Sequence, residues 1–317
     1  VQSIGENAFY GCIALDALEL PQSITNIGDG AFYRCLNLKT INIPDNVTKI
    51  GDYTFAECNN LTSITIPSKV ESIGKWAFYE CSSLQAIDIP DSVTSIKSEA
   101  FAYCYGLTSI VIPWSVTSIE PDALKTFNLQ TLFIPQHVSE TNIPSGAAKI
   151  VYTKDADYVT INQSETGKQT SIVIPETIDN GTVTVIGDSA FRSCQNLETI
   201  VLPSNIKSIE KYAFHGCSAL KSIDLPDGVN SIGSSAFYHC RKLKDINIPR
   251  SVSSIGDKTF SYCDSLTSVT IHSNITSINE STFLGCTALT NITLSQSITS
   301  IGENAFQGCL SLKSIAL

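Results

Sequence analysis

One phrase returns down this chain with a period of 23 residues, and so short a repeat leaves few folds open. It runs Ile4-Gly5, Ala8-Phe9, Cys12, Leu15, Leu18 and Leu20-Pro21, and comes back as Ile27-Gly28, Ala31-Phe32, Cys35, Leu38, Ile41 and Ile43-Pro44. Phe9, Phe32, Phe55, Phe78 and Phe101 hold that spacing, and so do Phe191, Phe214, Phe237, Phe260, Phe283 and Phe306. A unit of this size cannot bury its own apolar residues. Stacked neighbours can, each large apolar side chain then contributing about 1.5 to 3 kcal/mol. The expected fold is therefore a repeat solenoid in which like residues form ladders.

Within a unit, L-x-x-I-x-I-P alternates apolar and polar residues, the mark of a half-buried strand. Ten of the twelve prolines, Pro21 through Pro249, close such strands, where a missing N–H costs little. V-T-x-I-G reads as a second short extended piece, and A-F-x-x-C as a turn or a 3₁₀ element, being too brief for a regular helix. The Gly after Ile is replaced by Lys97, Glu120, Glu210 and Asn279, so that position does not demand a positive φ. Each coil forms one rung of a parallel β-sheet, with about 13 to 14 rungs in a right-handed coil. Regular coils span 1–138 and 183–317, with irregular coils over 139–182. Through that middle, Ile110, Leu132, Ile150, Ile172 and Ile200 mark successive rungs of one stack. The alternative is two blocks with a linker near 139–170. Lys149-Ile150-Val151-Tyr152 reads as a strand and the segment lacks a Pro/Gly/Ser-rich linker, which favours a single solenoid over 1–317.

With 43% hydrophobic and 16% charged residues in 317, the chain has ample material for a core. A net charge of -10 argues against nucleic acid, since the densest basic cluster is Arg241, Lys242 and Lys244. No apolar run approaches a membrane span. The chain opens on Val1 and contains no Met, which reads as a mature form or an excised segment, and further repeats or caps are expected beyond Val1 and Leu317.

Chemistry-bearing residues read as structural. All eleven cysteines, Cys12 to Cys309, share one repeat position, which makes a buried ladder of thiols rather than a disulfide framework or a metal site. His215 and His239 fall on neighbouring rungs but one position apart, and read as surface residues. Asp155 with Asp157 shows no calcium-loop pattern. Asp224 and Asp245 form the best carboxylate pair, on a flat sheet that would not exclude water. No catalytic residue, cofactor or metal is expected.

The coil I-G-x-x-A-F-x-x-C-x-x-L-x-x-I-x-I-P-x-x-V-T-x resembles the BspA-like, or Treponema pallidum-type, leucine-rich repeat of bacterial and some protozoan surface proteins. The likeness departs at Leu124 and Phe127 and between about 139 and 170. It implies a cell-surface or secreted adhesin or recognition module with a protein or glycoprotein partner, and it brings no catalytic residues.

A partner is expected where the sheet face turns apolar. The residue between the last two apolar strand positions reads Glu19, Asn42, Thr65, Asp88, Val111, Phe133, Val151, Val173, Val201, Asp224, Asn247, Thr270 and Thr293. Val111, Phe133, Val151, Val173 and Val201, bordered by Trp114, thus form a candidate binding stripe, unless residues 139–170 fold over it as core. A second exposed column, Tyr10, Tyr33, Tyr79 and Tyr238 with Tyr103 and Tyr262 one step later, reads chiefly as a packed ridge. A recognition module and a structural spacer that binds nothing both remain open, the spacer requiring a uniformly polar exterior.

Overall fold

The computed structural model describes residues 1–138, 146–272 and 275–316. They fall into two compact units, Val1–Lys149 and Ile150–Leu317. Each is a parallel β-solenoid, and no helix occurs among the described residues. Every regular turn contributes to three ladders, because the three segments of the repeat bond separately to their copies above and below.

The I-x-I-P segment makes one ladder. In the first unit Ala17–Leu18 pairs with Thr40–Ile41, and Ser109–Val111 with Thr131–Pro135. In the second, Ser171–Val173, Thr199–Val201 and Ser222–Ile223 form one sheet, and Asp245–Ile248, Ser268–Ile271, Asn291–Thr293 and Ser314–Ala316 another. The V-T-x-I-G segment makes the next ladder, as in Lys49–Ile50, Ser72–Ile73, Ser95–Ile96 and Ser118–Ile119, and in Ser208–Ile209, Ser231–Ile232 and Ser254–Ile255. Each pairing joins residues one repeat apart, Ser72 with Ser95 for example, so the strand register is the sequence period itself.

The third ladder is built from turns, not a 3₁₀ helix. The N–H groups of Ala8, Tyr10 and Cys12 donate to the carbonyls three residues back, while those of Asn7, Phe9 and Gly11 donate to Asp29, Ala31 and Tyr33 of the next turn at 2.8–3.0 Å. Alternation of local and inter-turn bonds leaves no backbone donor of this segment idle. It requires two residues per turn at positive φ, in the third position of overlapping turns, as a type II turn does. Tyr53, Trp76, Glu99, Tyr212 and Lys258 occupy the first such position, and Arg34, Glu57, Tyr103, His239 and Tyr262 the second. None of the non-glycine residues at positive φ is Val, Ile or Thr, the types for which that conformation is costliest. The Gly after Ile serves a different purpose: a Cβ on Gly28 or Gly74 would sit 2.5 Å from the backbone of the preceding turn.

Inside, Phe9, Phe32, Phe55, Phe78 and Phe101 stack with ring centroids 5.2–5.5 Å apart, and Phe191 through Phe306 do the same. Beside them runs the thiol ladder. Cys58 Sγ donates to Phe32 O at 3.3 Å and Cys240 to Phe214 O at 3.2 Å, each reaching back one turn, so the one polar atom of the ladder is paired. All eleven cysteines are free thiols, and nine are buried. The exceptions to the expected burial are Cys12, exposed, and Cys309, half-buried. Burial pushes Cys35 up to about 11 and Cys104 and Cys286 up to about 12.

The expected parallel step from Ile150 to Ile172 is corrected. After Ile150 the second unit forms an antiparallel hairpin, with Tyr152 opposite Ile161 and Asp155 opposite Tyr158. A second hairpin sets Thr177–Ile178 against Gly181–Thr182 through Asp179 and Asn180, both at positive φ, the requirement of a type I′ turn. Lys154 Nζ donates to the largely buried Asp179 carboxylate at 3.0 Å and ties the two hairpins together. Ile172 belongs to the parallel sheet with Ile200, but Ile150 does not. The second hairpin then feeds the S-I-G ladder, Val185 pairing with Ser208.

Candidate functional site

Val173 and Val201 are register partners on adjacent strands, and both stand in solvent, 60% and 55% exposed. Asp224 and Asn247 in the same column are exposed polar residues. Val151 does not join the pair. Its N–H donates to Ser164 Oγ at 3.3 Å and its carbonyl accepts from the Asn162 N–H at 2.8 Å, so it belongs to the hairpin region.

In the first unit Val111 and Phe133 are register partners, yet Phe133 is only 4% exposed, against the expectation that it faces solvent. Leu132, Phe133, Ile134 and Pro135 are buried in succession, where a half-buried strand would alternate. The chain has returned to this strand, Ala148 N–H donating to Gln130 O at 2.7 Å. Phe133 is core, Val111 is half-buried, and Trp114 packs edge-on against His137 with centroids 4.5 Å apart. Residues 139–145, part of the segment expected to cover the stripe, lie outside the described residues.

The turn ladder brings together side chains that the repeat frame separates. In the first unit Tyr10, Tyr33, Tyr53, Trp76, Tyr79, Tyr103, Tyr105 and Phe127 form a continuous ridge, successive centroids lying 4.6–6.3 Å apart. Most contacts are edge-to-face or tilted, an arrangement that adds about 0.5–1.5 kcal/mol beyond area burial. Lys75 Nζ lies 4.0 Å over the Trp76 ring, and at the end of the ridge Phe127 is 65% exposed. Glu57 accepts from Tyr33 and pairs with Arg34, and burial together with that carboxylate raises the Tyr33 hydroxyl.

The second unit carries a different ridge in the same place. His215 stacks on Tyr238 at 4.8 Å, Tyr238 meets His239 edge-on at 4.4 Å, and His239 stacks on Tyr262 at 4.8 Å. Arg192 lies over Tyr212, and Arg241 reaches His239 Nδ1 at 3.5 Å. Burial, then the charges of Arg192 and Arg241, hold His215 and His239 below the ordinary imidazole value. In a strand, neighbouring residues point to opposite faces; here His239 at positive φ follows Tyr238 and both stay outside. That is why a one-position offset, read as separating His215 from His239, joins them instead. Asp224 and Asp245 are both exposed. Among the described residues no group of three or more His, Cys, Asp and Glu is placed to hold a metal ion.

The sequence signature described as BspA type Leucine rich repeat region matches in six copies, over residues 1–81, 25–147 and 184–313. The chain belongs to the BspA-type leucine-rich repeat family. Among solved BspA-like neighbours, a leucine-rich repeat protein from Bacteroides ovatus is 28% identical, covering 100% of this chain and 70% of its own, with a TM-score of 0.37. The T. pallidum leucine-rich repeat protein is 26% identical over 52% of this chain and 88% of its own, TM-score 0.45. A leucine-rich cell surface protein from Faecalibacterium prausnitzii is 27% identical over 99% of this chain and 82% of its own, TM-score 0.38. No curated protein matches the BspA-type chain. Among the described residues no helix is long and apolar enough to cross a membrane.

Proposed function

We propose that this chain is a non-catalytic recognition module, displayed at or released from a cell surface, that holds a protein or glycoprotein partner as an adhesin does. The observation that carries the reading is the exposed Val173 and Val201 pair. Aliphatic side chains in water add nothing to the stability of the fold, and the same column offers Asp224, Asn247 and Thr293 on other strands. An apolar pair rimmed by polar residues is the chemistry of an interaction surface. A structural spacer would carry polar residues at both positions. The description of the F. prausnitzii relative as a cell surface protein supports the proposed location.

The test is a double variant, Val173→Asp with Val201→Asp. Because both side chains are exposed, its melting temperature should match the unaltered chain. Binding of the fluorescently labelled chain to epithelial or bacterial cells, read by flow cytometry, should weaken by about thirtyfold, the equivalent of a 2 kcal/mol hot spot. Equal binding by variant and unaltered chain, or no binding by either, overturns the reading.

A further inference from the structure

The second unit holds a side-chain-sized vacancy in its ridge. The outward column of the turn ladder passes through Ser193, Gly216, His239 and Tyr262, one residue per turn. His239 rests on Tyr262, centroids 4.8 Å apart, meets Tyr238 edge-on, and lines a groove together with Gly216, which has no side chain. A Cβ on Gly216 would meet nothing closer than 3.6 Å, whereas on Gly285, in the same column, it would strike the Tyr262 ring at 2.7 Å. The fold therefore has room for a side chain at Gly216 and none at Gly285. Ser193, Gln195, Ser218, His239 and Arg241 line the groove over Gly216. His215 forms part of its wall, with Nδ1 buried and unpartnered.

The chemistry of that lining selects a ligand. A ring seated over Gly216 would occupy the ladder position left empty there, at the distance from His239 that Tyr262 has on the other side. Hydroxyls of Ser193 and Ser218 and the Gln195 amide surround the place with donors and acceptors, which an aromatic or aliphatic side chain would leave unpaired. Arg241 adds a guanidinium, opposed by Asp264 at 3.9 Å across an exposed pair that water screens, and Arg192 lies close enough to bear on His215. In a chain of net charge -10, this is where a negative group is welcome. We propose that the Gly216 groove is a binding site for an acidic saccharide, one pyranose ring lying against His239 with its carboxylate on Arg241. The site is separate from the Val173 and Val201 surface.

Tetragalacturonate, with maltotetraose as the neutral control, tests it by proton NMR of the histidine rings and by calorimetry. Tetragalacturonate at millimolar concentration and low salt should shift the ring protons of His215 and His239 and leave His137 and His272 unmoved. Maltotetraose should shift none, and added salt should weaken binding. Gly216→Tyr fills the vacancy with a residue the same column already carries at Tyr103 and Tyr262, φ 61° and 58°. It should fold with a melting temperature lowered by the strain of a side chain at positive φ, and no longer bind. Arg241→Gln, at an exposed position, should keep the fold and lose about tenfold in affinity, as removal of a charge-assisted contact does. Val173→Asp with Val201→Asp should bind tetragalacturonate normally, which keeps failure of this site distinct from failure of the partner surface. Absence of any shift, unchanged binding by Gly216→Tyr or Arg241→Gln, or tighter binding of an Asp-Tyr-Asp peptide than of the uronate overturns the proposal.

Discussion

The two units use one backbone to make two kinds of ridge. Over the first, aromatic residues fill the turn ladder from Tyr10 to Phe127, each ring resting on the next, and the ridge behaves as an outer extension of the Phe core. Over the second, the aromatic run is short, alternates with histidines, and is broken by Gly216 and Gly285. Since the strands, thiols and stacked phenylalanines repeat in both, the difference lies in the outward columns of the turn ladder. Those columns can be spent on packing or on presentation without touching the interior.

Alkaline pH is the broadest way to set a baseline for both units. Folded thiols hold their protons above the ordinary value of 9.0, Cys35 to about 11 and Cys104 and Cys286 to about 12. Stability is thus fully present below pH 9 and lost as the unfolded chain alone ionises, at about 1.4 kcal/mol for each thiol and pH unit. Melting temperature should fall steeply between pH 9 and 12 in both units, and a flat profile would show that the thiols are not shielded. Trp76→Ala comes next. It removes the centre of the first ridge, between Tyr53 and Tyr79, and for a half-buried ring should cost about 2 kcal/mol, below the 3–5 of a fully buried one. His239→Ala in the second unit should cost less than about 1 kcal/mol; equal losses in denaturant titration would erase the contrast. The smallest effect is in acid. Because folding lowers the values of His215 and His239, protons bind the unfolded chain first as pH falls through 6.5, and stability is lost below it. Both rings are half-buried and no other charged group is lost with them, so this should be the smallest of the effects. Hydrogen exchange should show it around residues 212–262 and not in the aromatic ridge of the first unit.

Most of the fold was readable from the repeat, because a period that brings like residues together also sets strand register, as Ser72 with Ser95 shows. The Phe and Cys ladders followed from the same arithmetic. Residues 150–182 did not, for the marker spacing assumed that Ile150 and Ile172 lie on neighbouring parallel rungs. Asp179 and Asn180, both at positive φ, instead turn an antiparallel hairpin. Phe133 was misplaced because period-two alternation speaks only for a strand with one wet face. The histidine cluster was missed because His215 and His239, one position apart in the repeat frame, were read as separate surface residues, whereas the turn ladder holds both against Tyr238. Exposure of Val173 and Val201 was legible, since their strands are regular.

Register has a genetic corollary. A regular turn of this solenoid meets its neighbours through strand pairings that connect residue n to its copy 23 positions on, Ser3 to Asn26 and Ser231 to Ser254 alike. Unequal crossing-over between two such turns, wherever along the repeat it falls, adds or removes whole multiples of that length and leaves strands, thiols and phenylalanines in phase. Lineages can lengthen, shorten or shuffle this chain by recombination alone, exchanging outward columns in blocks while the interior never registers the event.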